Sequence, residues 1–202
     1  MASIYDLKPK FQSLLRPLTR KLAASGVSAN QVTVAALLLS GATGALLACF
    51  PDDHWPLVLL GPVLFVRMAL NAIDGMLARE HGMKTALGAI LNEIGDVAAD
   101  AAIYLPLAVV PGFDPALVVA TVVLAVFTEM TGVVGVQIGA SRRYDGPFGK
   151  SDRAFVFGAL SLMVGLGAPV GRWITIVLWA MLAALTLTVF NRGRRALEEL
   201  RH

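Results

Sequence analysis

Six stretches of this chain are predominantly apolar, and each is about as long as a bilayer is thick. A hydrocarbon core about 30 Å thick takes roughly 20 helical residues to cross. The stretches are Asn30–Phe50, Trp55–Asn71, Ala86–Val110, Pro115–Ala140, Ser151–Ala168 and Trp173–Asn191. Between them Gly, Pro and charge cluster in PDDHWP, REHGMKT, PGFDP, SRRYDGPFGK and GAPVGR. The expectation is an all-α polytopic membrane protein with six transmembrane helices. The second helix continues past Asn71 into the cytoplasm. Only 15% of the 202 residues are charged, against about 25% in a soluble domain. One bundle, a single domain over 1–202, uses the whole length.

Leu7 to Ala24 reads as an amphipathic surface helix ahead of the first span. Leu7, Phe11, Leu14, Leu15, Leu18 and Leu22 line one broad side, and Lys10, Arg16, Arg20 and Lys21 are placed to meet lipid headgroups. Pro17 is expected to kink or restart it. The start of the chain does not read as a secretory signal peptide. Arg and Lys set the orientation. Lys8 to Lys21, Arg79 and Lys84, Arg142 to Arg153, and Arg192 to Arg201 fall on one side, and only Arg172 falls on the other, beside Asp52, Asp53 and Asp114. Positive loops stay inside, so both termini are expected in the cytoplasm. No basic block is long enough for a nucleic-acid arm, and no aromatic residues interleave for base stacking. The single Cys49 excludes an internal disulfide. His54 reads as a loop residue and His81 as part of a turn. No nucleophilic triad, P-loop or dinucleotide fingerprint is present.

The charges left at the spans are the most informative residues. They are Arg67, Asp74, Glu93, Asp96, Asp100 and Glu129. Charges at bilayer depth are costly and mark cavities, ions or partners. Asn71 and Asp74 are three apart and share a helical face. Asn92, Asp96 and Asp100 are spaced by four and form one stripe. A turn at His81–Gly82 brings the two sets together. Converging carboxylates repel unless protons or a cation intervene, and hard divalent ions such as Mg²⁺ or Mn²⁺ suit carboxylate and amide oxygens. Arg79 offers planar donors to phosphate, and Gly75, Ala78 and Gly88 leave room for a ligand. Two other readings stay open: a proton or cation path, and small residues that serve only close helix packing. Arg67 and Glu129 are opposite charges at depth. They are expected to pair, to support the site or to line a headgroup cavity.

The stretch NAIDGMLAREHGMKTALGAILNEIGD, Asn71 to Asp96, resembles the signature D-x2-D-G-x2-A-R-x8-G-x3-D-x3-D of the CDP-alcohol phosphatidyltransferase family. Asp74, Gly75, Ala78, Arg79, Gly88 and Asp96 match in type and spacing. SANQVT, Ser28 to Thr33, resembles the segment that leads into the family's first span. Asn71 and Asn92 stand where the family has its first and third Asp. Each keeps a carbonyl oxygen and removes a negative charge. Glu93 and Asp100 are candidates to restore that charge, with Asp100 favoured because it shares the stripe. One metal, or a degenerate site, are the alternatives.

The resemblance implies transfer of a phosphatidyl group from a CDP-alcohol, usually CDP-diacylglycerol, to an acceptor alcohol with release of CMP. It implies Asp96 as general base and Asn71, Asp74, Asn92, Asp96 and Asp100 as candidate metal ligands. Asp74, Gly75, Ala78, Arg79 and Gly88 are implied around the nucleotide. Arg142, Arg143, Lys150 and Arg153 are implied around an acceptor, which their charge suggests is anionic. Topology alone also calls for basic residues in that loop. Asp152 is expected to cap the fifth span or pair with Arg153. A homodimer in a bacterial inner membrane is expected by the same resemblance. The competing readings are a catalytically impaired nucleotide- or lipid-binding protein, an intramembrane prenyltransferase, and a small cation-coupled transporter.

Overall fold

The computed structural model describes residues 4–201, with side chains from residue 9. Leu7 and Lys8 of the expected surface helix therefore lie outside the described side chains. Among the described residues the chain is wholly helical. The helices are α1 (Ile4–Ala24), α2 (Ala29–Cys49), α3 (His54–Glu80), α4 (Ala86–Tyr104), α5 (Pro115–Gln137), α6 (Lys150–Gly165) and α7 (Arg172–Glu199), with a 3-10 segment at Leu105–Val109.

Local chemistry starts and stops these helices where the polar breaks fall. Ser28 opens α2 with a capping box: its hydroxyl accepts from the Gln31 N–H, and the Gln31 side chain accepts from the Ser28 N–H. Thr85 caps α4 by accepting from the Gly88 N–H at 2.9 Å, and Asp114 caps α5 with Pro115 at the first helical position. Asp152 accepts from the Gly149 N–H at 2.8 Å, so of its two expected roles it takes the cap. Gly82, at φ +69°, turns the chain after α3. His54 is the first residue of α3 rather than a loop residue, with Nδ1 3.2 Å from the Val164 carbonyl oxygen. Helix α1 runs through Pro17 without a break in its assignment. Its Leu15 and Leu22 pack against Ile73, Met76 and Leu77, and Leu14 and Leu18 face outward.

The third stretch is α4 followed by the 3-10 segment. Pro106 cannot supply the N–H that the Ala102 carbonyl takes in an α-helix, so the regular helix ends there. Among the described residues four helices, α2, α3, α5 and α7, are long and apolar enough to cross a membrane. Helix α4 carries Glu93, Asp96 and Asp100, and α6 has 16 residues. Helix α2 packs on both α3 and α4, α3 on α6, and α5 on α7. An apolar core of Leu47, Leu60, Ile103, Leu107, Phe157 and Leu178 fills the end of the bundle away from the acid motif. Phe65, Phe127, Phe155, Trp179 and Phe190 are exposed. Large apolar side chains facing out of so many helices mark a surface solvated by lipid. The chain is an integral membrane protein.

Candidate active site

Helix α2 forms the floor of the site, and α3 and α4 both lean on it. Thr33 of α2 donates a hydrogen bond to Asp74 Oδ2 of α3 at 2.8 Å. On the other side, Gly88 and Gly95 of α4 lie against Asn30 and Thr33. A Cβ on Gly88 would sit 2.7 Å from Asn30 Oδ1, and one on Gly95 would sit 3.7 Å from the Thr33 methyl. Gly88 leaves the space that the Asn30 amide occupies where α4 approaches α2. This approach brings the stripe of α4 level with the face of α3 that carries Asn71 and Asp74.

The bridge between these faces is polar. Asn71 Nδ2 donates to Asp96 Oδ1 at 3.4 Å. Lys150, the first residue of α6, makes an ion pair with the same oxygen. Arg67, one helical turn before Asn71, donates to the Asp96 backbone carbonyl at 3.3 Å. Asp74 is buried and Asp96 half-buried, while Asn92 is exposed. Arg79 lies over Gly75: a Cβ there would meet the guanidinium at 2.8 Å. Asp74, Gly75, Ala78 and Arg79 therefore sit on the last two turns of α3, and Gly88, Asn92 and Asp96 on the first three turns of α4.

One turn deeper lies a second polar layer. Asp100, expected among the metal ligands, instead carries two ion pairs, with Arg67 at 2.6 Å and Arg153 at 2.8 Å. Glu93 pairs with Arg142 at 2.9 Å. Both acids are thus already engaged by guanidiniums. The expected Arg67–Glu129 pair is not formed. Glu129 instead receives Arg142, Arg153 and Arg192 at 3.1–3.2 Å. Both charges lie at depth, but Arg67 reaches α4 while Glu129, on α5, faces the loop after it and the start of α6. Arg143 is spent on Asp145 and Glu199. Burial works against the charge of Arg142, and hydrogen bonds and charge from Glu93 and Glu129 outweigh it, so its pKa is held above its ordinary value.

Thr33 and Arg192 are the members that sequence reasoning did not assign to this region. Thr33 falls within the SANQVT segment, three residues after Asn30 and on its face, which was the available signal. Arg192 carried only a topological signal.

Among the described residues no three His, Cys, Asp or Glu side chains come together as a metal site. Asn at 71 and 92 accounts for this. The donors that do converge are two carboxylates and an amide from adjacent helices, with an ammonium already against Asp96. That set suits a hard cation held by one or two carboxylates and completed by substrate phosphate oxygens, in the manner of Mg²⁺, better than an all-protein cage.

Residues 27–190 match the family described as CDP-alcohol phosphatidyltransferase. The chain is 46% identical over 196 residues to the inner membrane protein YnbA of Escherichia coli, covering 96% of each chain. It is 30% identical to the phosphatidylinositol phosphate synthase of Corynebacterium glutamicum, over 95% of this chain and 87% of that one. Among solved structures it superposes on the Mycobacterium tuberculosis phosphatidylinositol phosphate synthase with CDP-DAG bound, at a TM-score of 0.75 and 19% identity, covering 89% of this chain and 92% of that one. The same enzyme in complex with manganese and citrate gives 0.74, at 20% identity over 89% of this chain and 87% of that one. At that identity the likeness is one of fold.

Proposed function

The chain belongs to the CDP-alcohol phosphatidyltransferase family, and on that premise we propose that it transfers the phosphatidyl group of CDP-diacylglycerol to an acceptor alcohol and releases CMP. The observation that carries this reading is the meeting of Asp74 and Asp96 from separate helices, beside Asn71 and Lys150, at the end of the bundle that holds the basic loops.

Asp96 is the general base. Both of its side-chain partners, Asn71 and Lys150, bond to Oδ1, so Oδ2 is the atom to take the acceptor's hydroxyl proton. The alkoxide oxygen forms a bond to the β-phosphorus of the donor, and the bond from that phosphorus to CMP breaks with its electron pair on CMP. Lys150 moves from Asp96 toward the substrate as the proton arrives, because a protonated Asp96 no longer holds it. Asn71, Asp74, Asn92 and Asp96 would hold Mg²⁺ or Mn²⁺, which when bound would supply charge neutralisation for the diphosphate. Gly75, Ala78 and Gly88 leave space for the nucleotide, and Arg79 offers its planar donors to phosphate. Asn30 and Thr33 position the two faces: Asn30 sets the approach of α4, and Thr33 orients Asp74.

In this reading all six stretches cross the membrane, with the charges of α4 and α6 paired inside the bundle. α1 lies on the cytoplasmic surface with Leu14 and Leu18 toward lipid, and the site faces the cytoplasm. The protein works as a homodimer in a bacterial inner membrane.

The test is CMP release from CDP-diacylglycerol by the purified protein in lipid, with Mn²⁺ or Mg²⁺ and a panel of acceptor alcohols. Release is expected to need both metal and acceptor. EDTA should abolish it, and Asp96→Asn should lower it by about 10²-fold or more while donor binding survives. Donor binding without release in every arm would favour the impaired binding protein instead.

A further inference from the structure

Three guanidiniums converge on one carboxylate beneath the site. Arg142 Nη2 and Arg192 Nη1 bond to Glu129 Oε2 at 3.1 and 3.2 Å, and Arg153 Nη2 bonds to Oε1 at 3.2 Å. Arg153 and Arg192 are buried. Three planar donors around a central anion are an arrangement suited to the oxygens of a phosphate ester. Here the centre is filled from within the chain.

Most of the remaining donors of these residues are spent as well. Arg142 Nε and Nη2 bond to Glu93 at 3.0 and 2.9 Å, Arg153 Nε and Nη2 to Asp100 at 3.2 and 2.8 Å, and Arg192 to the carbonyls of Thr128 and Asp145. Arg143 is held by Asp145 and Glu199. Lys150, against Asp96, is the loop cation that a substrate reaches by displacing one partner. An acceptor dianion would have to expel Glu129 from its three partners. It would also sit among Glu93, Asp96, Asp100 and Glu129, whose charges repel it.

We propose that Glu129 is a built-in anion that occupies the arginine cluster, and that the acceptor of this enzyme is accordingly an alcohol without a phosphate group. The anionic acceptor suggested by the basic residues of the loop is thereby set aside. These residues are abundant, but carboxylates of α4, α5 and α7 and of the loop itself neutralise them. The acceptor's class rests on the transferase reading; the filling of the cluster does not.

Two measurements on the full-length protein in lipid test this. The first compares matched acceptors in the CMP-release assay: glycerol against glycerol 3-phosphate, and inositol against inositol phosphate. The uncharged member should have at least about tenfold higher kcat/KM; preference for the phosphorylated member overturns the proposal. The second follows thermal unfolding against inorganic phosphate at constant ionic strength. The wild-type protein should show no saturable stabilisation. Glu129→Ala, which removes the anion and opens its space, and Glu129→Gln, which removes only the charge, should gain it. Saturable stabilisation of the wild-type protein, or two folded variants that gain none, overturns the proposal. If neither variant folds, the wild-type titration decides alone. Absence of CMP release with every acceptor strikes the transferase reading, and the phosphate titration still decides whether Glu129 fills the cluster.

Discussion

At Asp96 the chain gathers an amide from α3, an ammonium from α6 and, on its backbone carbonyl, the guanidinium of Arg67. Each partner carries positive charge or a positive dipole toward the residue, as a cation would. The two asparagines of the motif fit this arrangement. Asn71 can turn its amide N–H toward Asp96, which an ionised Asp at the same position could not do without repulsion. Restoring both acids, Asn71→Asp with Asn92→Asp, adds two negative charges around the same space. The double variant should bind Mn²⁺ more tightly by roughly tenfold, since ligand charge count tunes affinity for hard cations. Titration of Mn²⁺ by electron paramagnetic resonance reads this directly, and unchanged affinity would place the metal elsewhere.

Among the elements, the pairing of α2 with α4 decides whether the site exists. Its tightest point is Gly44, where a Cβ would lie 1.9 Å from the Ala102 carbonyl oxygen. Ala102 is the residue whose carbonyl loses its α-helical partner at Pro106. The glycine of one helix thus accommodates the carbonyl that the proline of another leaves free. Gly44→Ala should cost about 1–3 kcal/mol, as overpacking does in a filled core. Gly41→Ala, three residues earlier with nothing within 4 Å of the added methyl, should be neutral or slightly stabilising. Thermal unfolding of the two variants in one detergent checks both. Equal losses would mean that helix propensity, and not the α2–α4 contact, governs this region.

For the molecule as a whole, the layering along the bundle is the organising feature. One end is an apolar core around Leu60, Leu107 and Phe157. A belt of paired charges from Arg67 to Arg192 comes next, and then the motif acids. Buried ion pairs cost desolvation that their mutual attraction must offset, so this belt is better read as a device that fixes the relative position of α3, α4, α5 and α6 than as a source of stability. The proposed orientation is tested with single cysteines in a Cys49→Ser background. Asp52→Cys should react with a membrane-impermeant maleimide added from outside whole spheroplasts. Arg201→Cys should react only after the membrane is opened. Labelling of both from the same side would refute the even span count.

Much of the helical architecture was readable from the chain alone, because bilayer thickness sets the length of an apolar run and glycine, proline and capping residues punctuate it locally. The spacing of Asn71, Asp74, Asn92 and Asp96 likewise follows from the 3.6-residue turn, and the turn at Gly82 joins the two sets. Helix ends shifted by a few residues, as at Tyr104, where one proline ends the regular helix inside a run that remains apolar. Partner choice among the charges was not readable. Spacing along one helix says which residues share a face, but Arg67 selects Asp100 over Glu129, and Glu129 gathers three arginines, only because α4, α5 and α6 meet at particular depths and rotations. Sequence supplies the charges and their faces; packing between helices decides which of them remain available to a substrate and which are consumed by one another.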